Sequence, residues 1–308
     1  MKRLKYCKAT LIGIMIAVAL SACSGVNNNA KTKAGALKDT LIVWADTGMQ
    51  VIANEQKEVF EHNYNQIAID IRYMQEDDII KGLLNNTVNT AFLQRPLTER
   101  EYNYISESEK FKPMQYTFGY SAMVLLASEQ YSSDYISEEQ LGNYFKGKGT
   151  AGLSLIFENS KSQAISFFLQ HYKLSPEEMK RAYAKTHLND LLTQLRNDPN
   201  AVGVIPFTYI AEADIPATKA LLQGLKILEV EYRDSTGKIL REAPSQETIA
   251  TKAYPFINPL LFVNCNMDKK SGNTFINYMF TERGQRLMLK CGIVPAIFPG
   301  REVKITTN

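Results

Sequence analysis

Residues 41–52 read LIVWADTGMQVI, and this stretch decides the fold class. Leu41–Ala45 is a short apolar run with β-branched and aromatic residues, which predicts a strand. Asp46-Thr47-Gly48 then breaks the strand, because Asp and Gly favour turns. A helical pattern follows through Met49–His62. A strand, a short turn and a helix in immediate succession indicate a layered α/β fold.

The same alternation continues along the chain. Further strands are predicted at Ile67–Met74, Thr90–Leu93, Phe118–Ser128, Leu153–Phe157, Ala201–Phe207 and Pro255–Val263. Helices are predicted at Ile79–Leu84, from Ser137 to about Phe145, at Ser162–Tyr172, from Ser175 onward and at Gly272–Lys290. Ser137 with Gln140 forms a capping-box pattern. Asp234–Gly237 separates two short apolar runs, which predicts a hairpin.

The amino terminus has the organisation of an export signal. Met1–Lys8 is positively charged, and Ala9–Leu20 is apolar but shorter than the roughly 20 residues of a membrane span. Leu20-Ser21-Ala22-Cys23 resembles a bacterial lipobox, which implies cleavage before Cys23 and a lipidated thiol. An ordinary signal peptide with an incidental Cys, or an uncleaved anchor, are the alternatives. Ser24–Lys38 is polar and small, so it predicts a flexible stalk.

Composition and charge exclude several classes of protein. The 308 residues are 45% hydrophobic and 22% charged, which excludes wholesale disorder, collagen and coiled coil, and the length predicts two domains. Four of the basic residues precede Cys23; without them 31 Lys+Arg stand against 32 Asp+Glu. No concentrated basic face remains, so we expect no nucleic-acid partner.

The residues needed for catalysis or metal binding do not form a recognisable pattern. The three His residues have no metal-ligand spacing, and neither a Walker loop nor a G-x-S-x-G motif occurs. The acidic run Glu76-Asp77-Asp78 is typical of a helix first turn rather than of a metal site. We therefore predict a protein that is not an enzyme and carries neither metal nor cofactor.

Three junctions between strand and helix are candidate binding elements. They are Thr47-Gly48-Met49, Gln75-Glu76-Asp77 and Ser160–Gln163. Helix starts present unpaired N–H groups and a partial positive charge, so convergent starts can bind an anion. Simple N-caps are the alternative at each junction.

Several segments, taken in order, resemble the phosphate-transporter class of periplasmic solute-binding proteins. The first strand and loop match, LLNNTVNTA resembles the family's L-L-N-G-T-A-D-I-A, and QRPL resembles its S-R-P-L. Further matches are 136–147 (ISEEQLGNYFKG), 160–168 (SKSQAISFF), 202–205 (VGVI), Tyr254-Pro255 and 275–295. Together these segments span essentially the whole chain after the stalk.

The resemblance implies an α/β, two-lobe, type II periplasmic-binding-protein fold with two crossing hinge segments. The expected organisation is a signal peptide at 1–22, a stalk at 23–38, lobe one at 39–119 plus 254–308, and lobe two at 120–253. The crossings are expected near Tyr116–Ala122 and Ala250–Pro255. Ligand would be clamped between the lobes by closure about these crossings.

The resemblance also implies the ligand contacts. Thr47 and Gly48 would contribute from lobe one, with Asn89 at the cleft floor and Arg95 at its rim. Ser160, Lys161, Ser162 and Gln163 would contribute from lobe two. The chain departs from the family here: Asn89 replaces an Asp, Ala164 replaces a Thr, and Phe157 or Glu158 stands where the family has an Arg. We therefore expect weak phosphate affinity, with Lys161 the cation most able to compensate.

The sequence thus predicts a lipid-anchored, extracytoplasmic solute-binding protein of the bacterial cell envelope. It would capture phosphate or another small anion and present it to a membrane transporter. The alternative is a degenerate binding fold that acts as an envelope sensor or interaction component. A hydrolase would need a nucleophile and base, for which there is no pattern. The sequence leaves open the ligand, the partner and the choice between inner and outer membrane.

Overall fold

The computed structural model describes residues 39–109, 112–148, 152–179, 183–266 and 270–300. The predicted signal peptide, stalk and lipidated Cys23 lie outside these ranges. The strands are β1 Asp39–Asp46, β2 Ile67–Met74, β3 Thr90–Leu93, β4 Met114–Ser128, β5 Tyr135–Ser137, β6 Ser154–Phe157, β7 Tyr183–Ala184, β8 Ala201–Pro206, β9 Leu225–Ile227, β10 Glu229–Arg233, β11 Ile239–Glu242, β12 Ile257–Asn264 and β13 Val294–Pro295.

Helices alternate with these strands. They are α1 Gln50–Asn63, α2 Glu76–Leu84, α3 Glu99–Glu109, α4 Glu138–Phe145, α5 Gln163–His171, α6 Leu188–Asn197, α7 Pro216–Leu222, α8 Gln246–Ala250, α9 Lys270–Met279 and α10 Glu282–Lys290. Short 3-10 turns at Thr47–Met49 and Phe207–Tyr209 follow β1 and β8. This is the α/β architecture that the sequence predicts.

One sheet runs through the described chain in the order β2-β1-β3-β12-β4-β8-β6-β7, with β13 and β9 also pairing with β4. β1 is parallel to both β2 and β3, and β6 is parallel to β8. β12 and β8 run antiparallel to β4. β5, β10 and β11 form a separate small sheet.

The long strand β4 divides the sheet into two halves. Residues 114–122 pair with β12, and residues 123–127 pair with β8. We call β1, β2, β3 and β12 the first half, and β6, β7, β8 and β9 the second half. Residues 254–256, which we call the return segment, lead into β12 and lie beside the point where β4 changes partner. Met123 N–H donates to Phe256 O at 2.8 Å, and Tyr254 O–H donates to Met123 O at 2.8 Å. The division into two lobes with the stated boundaries stays a prediction.

Aromatic side chains pack together in each half of the sheet. Phe92, Phe262 and Phe275 pack edge to face in the first half, with ring centroids 5.2–6.0 Å apart. Phe145 and Phe168 pack 5.3 Å apart in the second half. Burying each such ring contributes about 1.5–3 kcal/mol. Both groups belong to one continuous hydrophobic core, which the buried residues of β4 connect from one half to the other.

The structure confirms several predicted elements and corrects others. β2 and β3 have the predicted bounds, the capping box at Ser137 is present, and β10 and β11 form the predicted hairpin. The single helix predicted at Gly272–Lys290 is wrong: α9 and α10 are separate, and Thr281 caps α10 by accepting from Gly284 N–H. The helix predicted from Ser175 is one turn within the described residues, closed by Glu178 N–H donating to Ser175 O.

Candidate functional site

The turn after β1 forms the first part of the site. Asp46 caps the 3-10 turn, and its Oδ1 accepts from Gly48 N–H at 2.8 Å and from Gln94 Nε2 at 2.9 Å. Gln94 follows β3 directly, and β1 and β3 are parallel neighbours. The carboxyl ends of parallel neighbours meet at one edge of a sheet, so Asp46–Gly48 and Gln94 lie together for a topological reason.

The second half contacts this edge directly. Gln163 Nε2 donates to Gln94 O at 3.2 Å, and the Thr208 hydroxyl donates to Gly48 O. A Cβ on Gly48 would lie 2.8 Å from Gln94 Nε2 and 3.1 Å from Pro206 Cγ, so only glycine permits this approach. We call this contact zone the seam; its residues are 46–48, 94, 158, 162–163 and 206–209. The seam brings together four predicted contacts, Thr47, Gly48, Ser162 and Gln163.

Glu158 is the buried acid of the second half at the seam. It accepts hydrogen bonds from Ser162 and Tyr209, and the Thr47 hydroxyl donates to Tyr209. Burial, reinforced by the charge of Asp46, raises the pKa of Glu158 to about 7 against those hydrogen bonds. Burial also raises the pKa of Asp46 to about 6; the Gly48 N–H opposes this shift and the charge of Glu76 adds to it. Both carboxyl groups therefore change from protonated to ionised near neutral pH.

Arg95, which was predicted at the cleft rim, lies in a buried ion-pair network. Its Nε donates to Glu76 Oε1 at 2.8 Å, and its Nη1 and Nη2 donate to Glu101 at 2.8 and 3.0 Å. Burial opposes the charged form, but the hydrogen bonds and charges of Glu101 and Glu76 hold the Arg95 pKa above its usual range. With Pro96 O accepting a further bond, little of the guanidinium remains for an anion.

Asn89, which was predicted at the cleft floor, lies outside the seam, at the opposite end of β3 from Gln94. It precedes β3, whereas Gln94 follows it, and a four-residue strand is about 13 Å long. The Asn89 carbonyl accepts from Cys265 N–H at 2.7 Å. Its role as a ligand contact stays a prediction.

Ser160 and Lys161 lie at the outer margin of the seam. Both are exposed, and Lys161 Nζ is 3.6 Å from Asp78 Oδ1 on α2. This pair links the second half to the first, but it is solvent-screened and contributes about 0–1 kcal/mol. Lys161 therefore lies beside the seam rather than within it.

Several buried polar groups at the seam were not predicted. Gln94, Thr208 and Tyr209 belong to it, and Asn258 on β12 donates to Gln94 O at 3.3 Å. The only signal in the sequence is position, since Gln94 and Phe207–Tyr209 directly follow strands. Which strand ends face each other depends on the order of the strands in the sheet, which is set by pairing between segments far apart in sequence.

Neither a metal centre nor a membrane span is found in the part of the chain that the structure describes. There, no three His, Cys, Asp or Glu side chains are grouped to hold a metal ion. Within the same ranges, no helix combines the length and apolar character that a membrane crossing requires.

Comparisons with known proteins identify the architecture. A structure from Clostridium perfringens, described as a phosphate ABC transporter substrate-binding protein with bound phosphate, superposes with a TM-score of 0.66 at 16% identity, covering 84% of this chain and 100% of that chain. An ABC-type phosphate transport receptor from Vibrio cholerae gives 0.62 at 16%, over 82% and 99%. PstS from Borrelia burgdorferi gives 0.54 at 21%, over 84% and 99%.

These identities show a shared fold, and the comparison with curated proteins finds no match. The family model described as PBP superfamily domain matches residues 30–283. That range includes all the strands except β13 and therefore the complete seam. The chain belongs to the PBP superfamily domain family, and the binding-protein fold predicted from its sequence is confirmed.

Proposed function

We propose that this protein captures a small polar solute between its two sheet halves, outside the cytoplasm. The observation that supports the proposal most is the seam, where buried polar side chains of both halves converge on strand ends. Ligands of α/β folds bind at the carboxyl ends of strands. The ends of β1 and β3 meet there with the turns after β6 and β8.

The seam is held by bonds that can open. The Gln163–Gln94 and Thr208–Gly48 hydrogen bonds each contribute about 0.5–1.5 kcal/mol. The exposed Lys161–Asp78 pair contributes less. On opening, the two halves would rotate about the point where β4 changes partners and about the neighbouring return segment. A solute bound between the halves would replace the contacts that opening removes. Solute capture by closure is a hinge mechanism.

Phosphate is the first solute to test, since the Clostridium perfringens neighbour is described with bound phosphate. We propose that its affinity here is low, as the sequence predicts. Arg95 is engaged by two carboxylates, and Glu158 occupies a buried position at the seam. Losing one partner of a buried charge pair costs about 2–5 kcal/mol, or roughly 30- to several-thousand-fold in affinity.

We also propose a lipid anchor at Cys23 and a membrane transporter as the partner. Lipidation of Cys23 would tether the chain to the outer side of a membrane, and residues 24–38 would give the domain reach. Two neighbours are described as ABC transport proteins, which supports delivery to a membrane transporter. As substrate-binding components, such neighbours also support a role that is not enzymatic.

A panel of solutes tests solute capture. Thermal unfolding would be measured with phosphate, sulfate, small amines, amino acids and sugars at constant ionic strength. A ligand that binds only the native state raises its stability by about 2.7 kcal/mol at 100 times Kd. We expect saturable stabilisation by at least one class of solute and no sub-micromolar binding of phosphate. A panel without any saturable response would contradict solute capture and favour the envelope interaction component.

A further inference from the structure

Buried acids in the seam and directly beside it outnumber the cations available to them. Asp46, Glu76 and Glu158 are 4%, 1% and 7% exposed. Arg95 is shared between Glu76 and Glu101. Among the described residues, neither Asp46 nor Glu158 forms an ion pair. The charge of Asp46 raises the pKa of Glu158, and the charge of Glu76 raises the pKa of Asp46. An unpaired buried carboxylate is expensive, so this arrangement favours a ligand that brings positive charge.

A second observation points the same way. The amide oxygens Oε1 of Gln163 and Oδ1 of Asn258 are buried and have no hydrogen-bond partner, and these side chains are 2% and 1% exposed. Both amide nitrogens donate to Gln94 O, and the Gln94 side chain donates to Asp46. The two side chains that carry the unused acceptors therefore both contact Gln94, whose own side chain donates to Asp46. Buried acceptors without donors each cost about 1–3 kcal/mol, and a ligand with N–H groups would satisfy them.

We infer that the seam binds a small solute carrying a primary ammonium group. An ammonium supplies one positive charge and three N–H donors and has no acceptor, which matches unpaired carboxylates beside unused amide oxygens. Phosphate, in contrast, would bring a negative charge to the same negatively charged carboxylates. The inference rests on the proposed solute capture and names its ligand class.

The acids must be ionised to bind an ammonium. The titratable and charged groups around Asp46 and Glu158 are each other, Glu76, Tyr209 and, through Glu76, Arg95 with Glu101. Apart from Arg95 these groups are acids, so ammonium binding releases protons and strengthens as the pH rises from about 5 to about 8. Binding of a phosphate to the same groups requires proton uptake and has the opposite dependence.

The test uses the purified full-length protein in detergent. Methylammonium, 1,4-diaminobutane, tetramethylammonium, sodium, calcium and inorganic phosphate are titrated by calorimetry at pH 5.5 and 8, in two buffers that differ in ionisation enthalpy. We expect saturable binding of methylammonium or 1,4-diaminobutane, tighter at pH 8, with proton release. Tetramethylammonium has the charge without the N–H groups and should bind at least 10-fold more weakly.

Glu158→Gln should weaken ammonium binding by about 30-fold or more, because it removes one partner of a buried charge pair. Glu58→Gln removes an exposed carboxylate on α1 and is the matched control, with unchanged affinity expected. The melting temperature of each variant without ligand shows that it is folded. The number of protons that the wild type releases on binding the ammonium ligand tests the proposed ligand class without any variant.

The outcomes separate the two proposals. Sub-micromolar phosphate binding, preference for tetramethylammonium, sodium or calcium, or an ammonium affinity that Glu158→Gln leaves unchanged would overturn the ligand class while solute capture stands. A complete lack of binding by these probes and by the wider panel would overturn solute capture and the ligand class together.

Discussion

Glu158 shows how the residue at a single position can change the chemistry of a shared fold. The sequence places Phe157 or Glu158 where the resemblance expects an Arg, and the structure buries Glu158 beside two hydroxyl groups. A cation at that position would attract an anion, whereas a buried acid repels one. In our proposal the identity of this residue therefore contributes to the choice of solute.

The raised pKa of Glu158 has a consequence for stability. Its folded pKa of about 7 exceeds the reference value of 4.5, so the folded state holds the proton more tightly. The resulting stabilisation is full below about pH 4.5 and is lost as the pH rises to about 7. Glu158→Gln removes this titration, so the variant should gain on the order of 3 kcal/mol relative to wild type between pH 4.5 and pH 8. Denaturant unfolding across this range, with Glu58→Gln as control, measures it; parallel curves for wild type and Glu158→Gln would contradict it.

Helices α9 and α10 show what sequence periodicity can and cannot predict. The amphipathic pattern from Gly272 to Lys290 is real, but it belongs to two helices. The chain turns at Thr281, and a Cβ on Gly284 would lie 2.6 Å from Tyr278 O and 2.7 Å from Met279 O. The break depends on this close backbone approach, which periodicity does not contain.

Gly284→Ala should therefore destabilise the protein by about 1–3 kcal/mol, because the added methyl overlaps backbone that cannot move independently. Gly300→Ala is the matched control, since a Cβ there meets nothing within 4 Å. Chemical denaturation of both variants compares them. Equal stabilities would show that the junction between α9 and α10 is looser than described.

Two strands were predictable with their exact bounds: β2, whose residues alternate, and the short, fully buried β3. Helix α3 escaped prediction because its sequence, EREYNYISESE, is largely polar. For the site, Thr47, Gly48, Ser162 and Gln163 were predicted because each stands at a junction of strand and helix. Gln94 and Tyr209 were not predicted, because pairings between residues far apart in sequence decide which strand ends face each other.

At the scale of the complete chain, the anchor is a separate prediction. Cys23→Ala removes the thiol that the Leu20-Ser21-Ala22-Cys23 pattern marks for lipidation, and each buried lipid CH₂ contributes about 0.8 kcal/mol. The variant should be recovered unprocessed or in the soluble fraction. Fractionation and mass measurement of the amino terminus check this. A processed Cys23→Ala chain that still sediments with membranes would show that the anchor is elsewhere.

The central claim is that the two halves open and close around a solute. The exposed residues Asp77 and Ser160 adjoin the Asp78–Lys161 pair, so labels on Asp77→Cys and Ser160→Cys lie on opposite sides of the seam. Cys265 and Cys291 are buried and should label slowly. The decisive measurement is the distance distribution between spin labels at these positions, with and without methylammonium, 1,4-diaminobutane or phosphate. The account predicts a broad distribution that narrows to a short distance with a bound solute; a distribution that none of these solutes changes would contradict it.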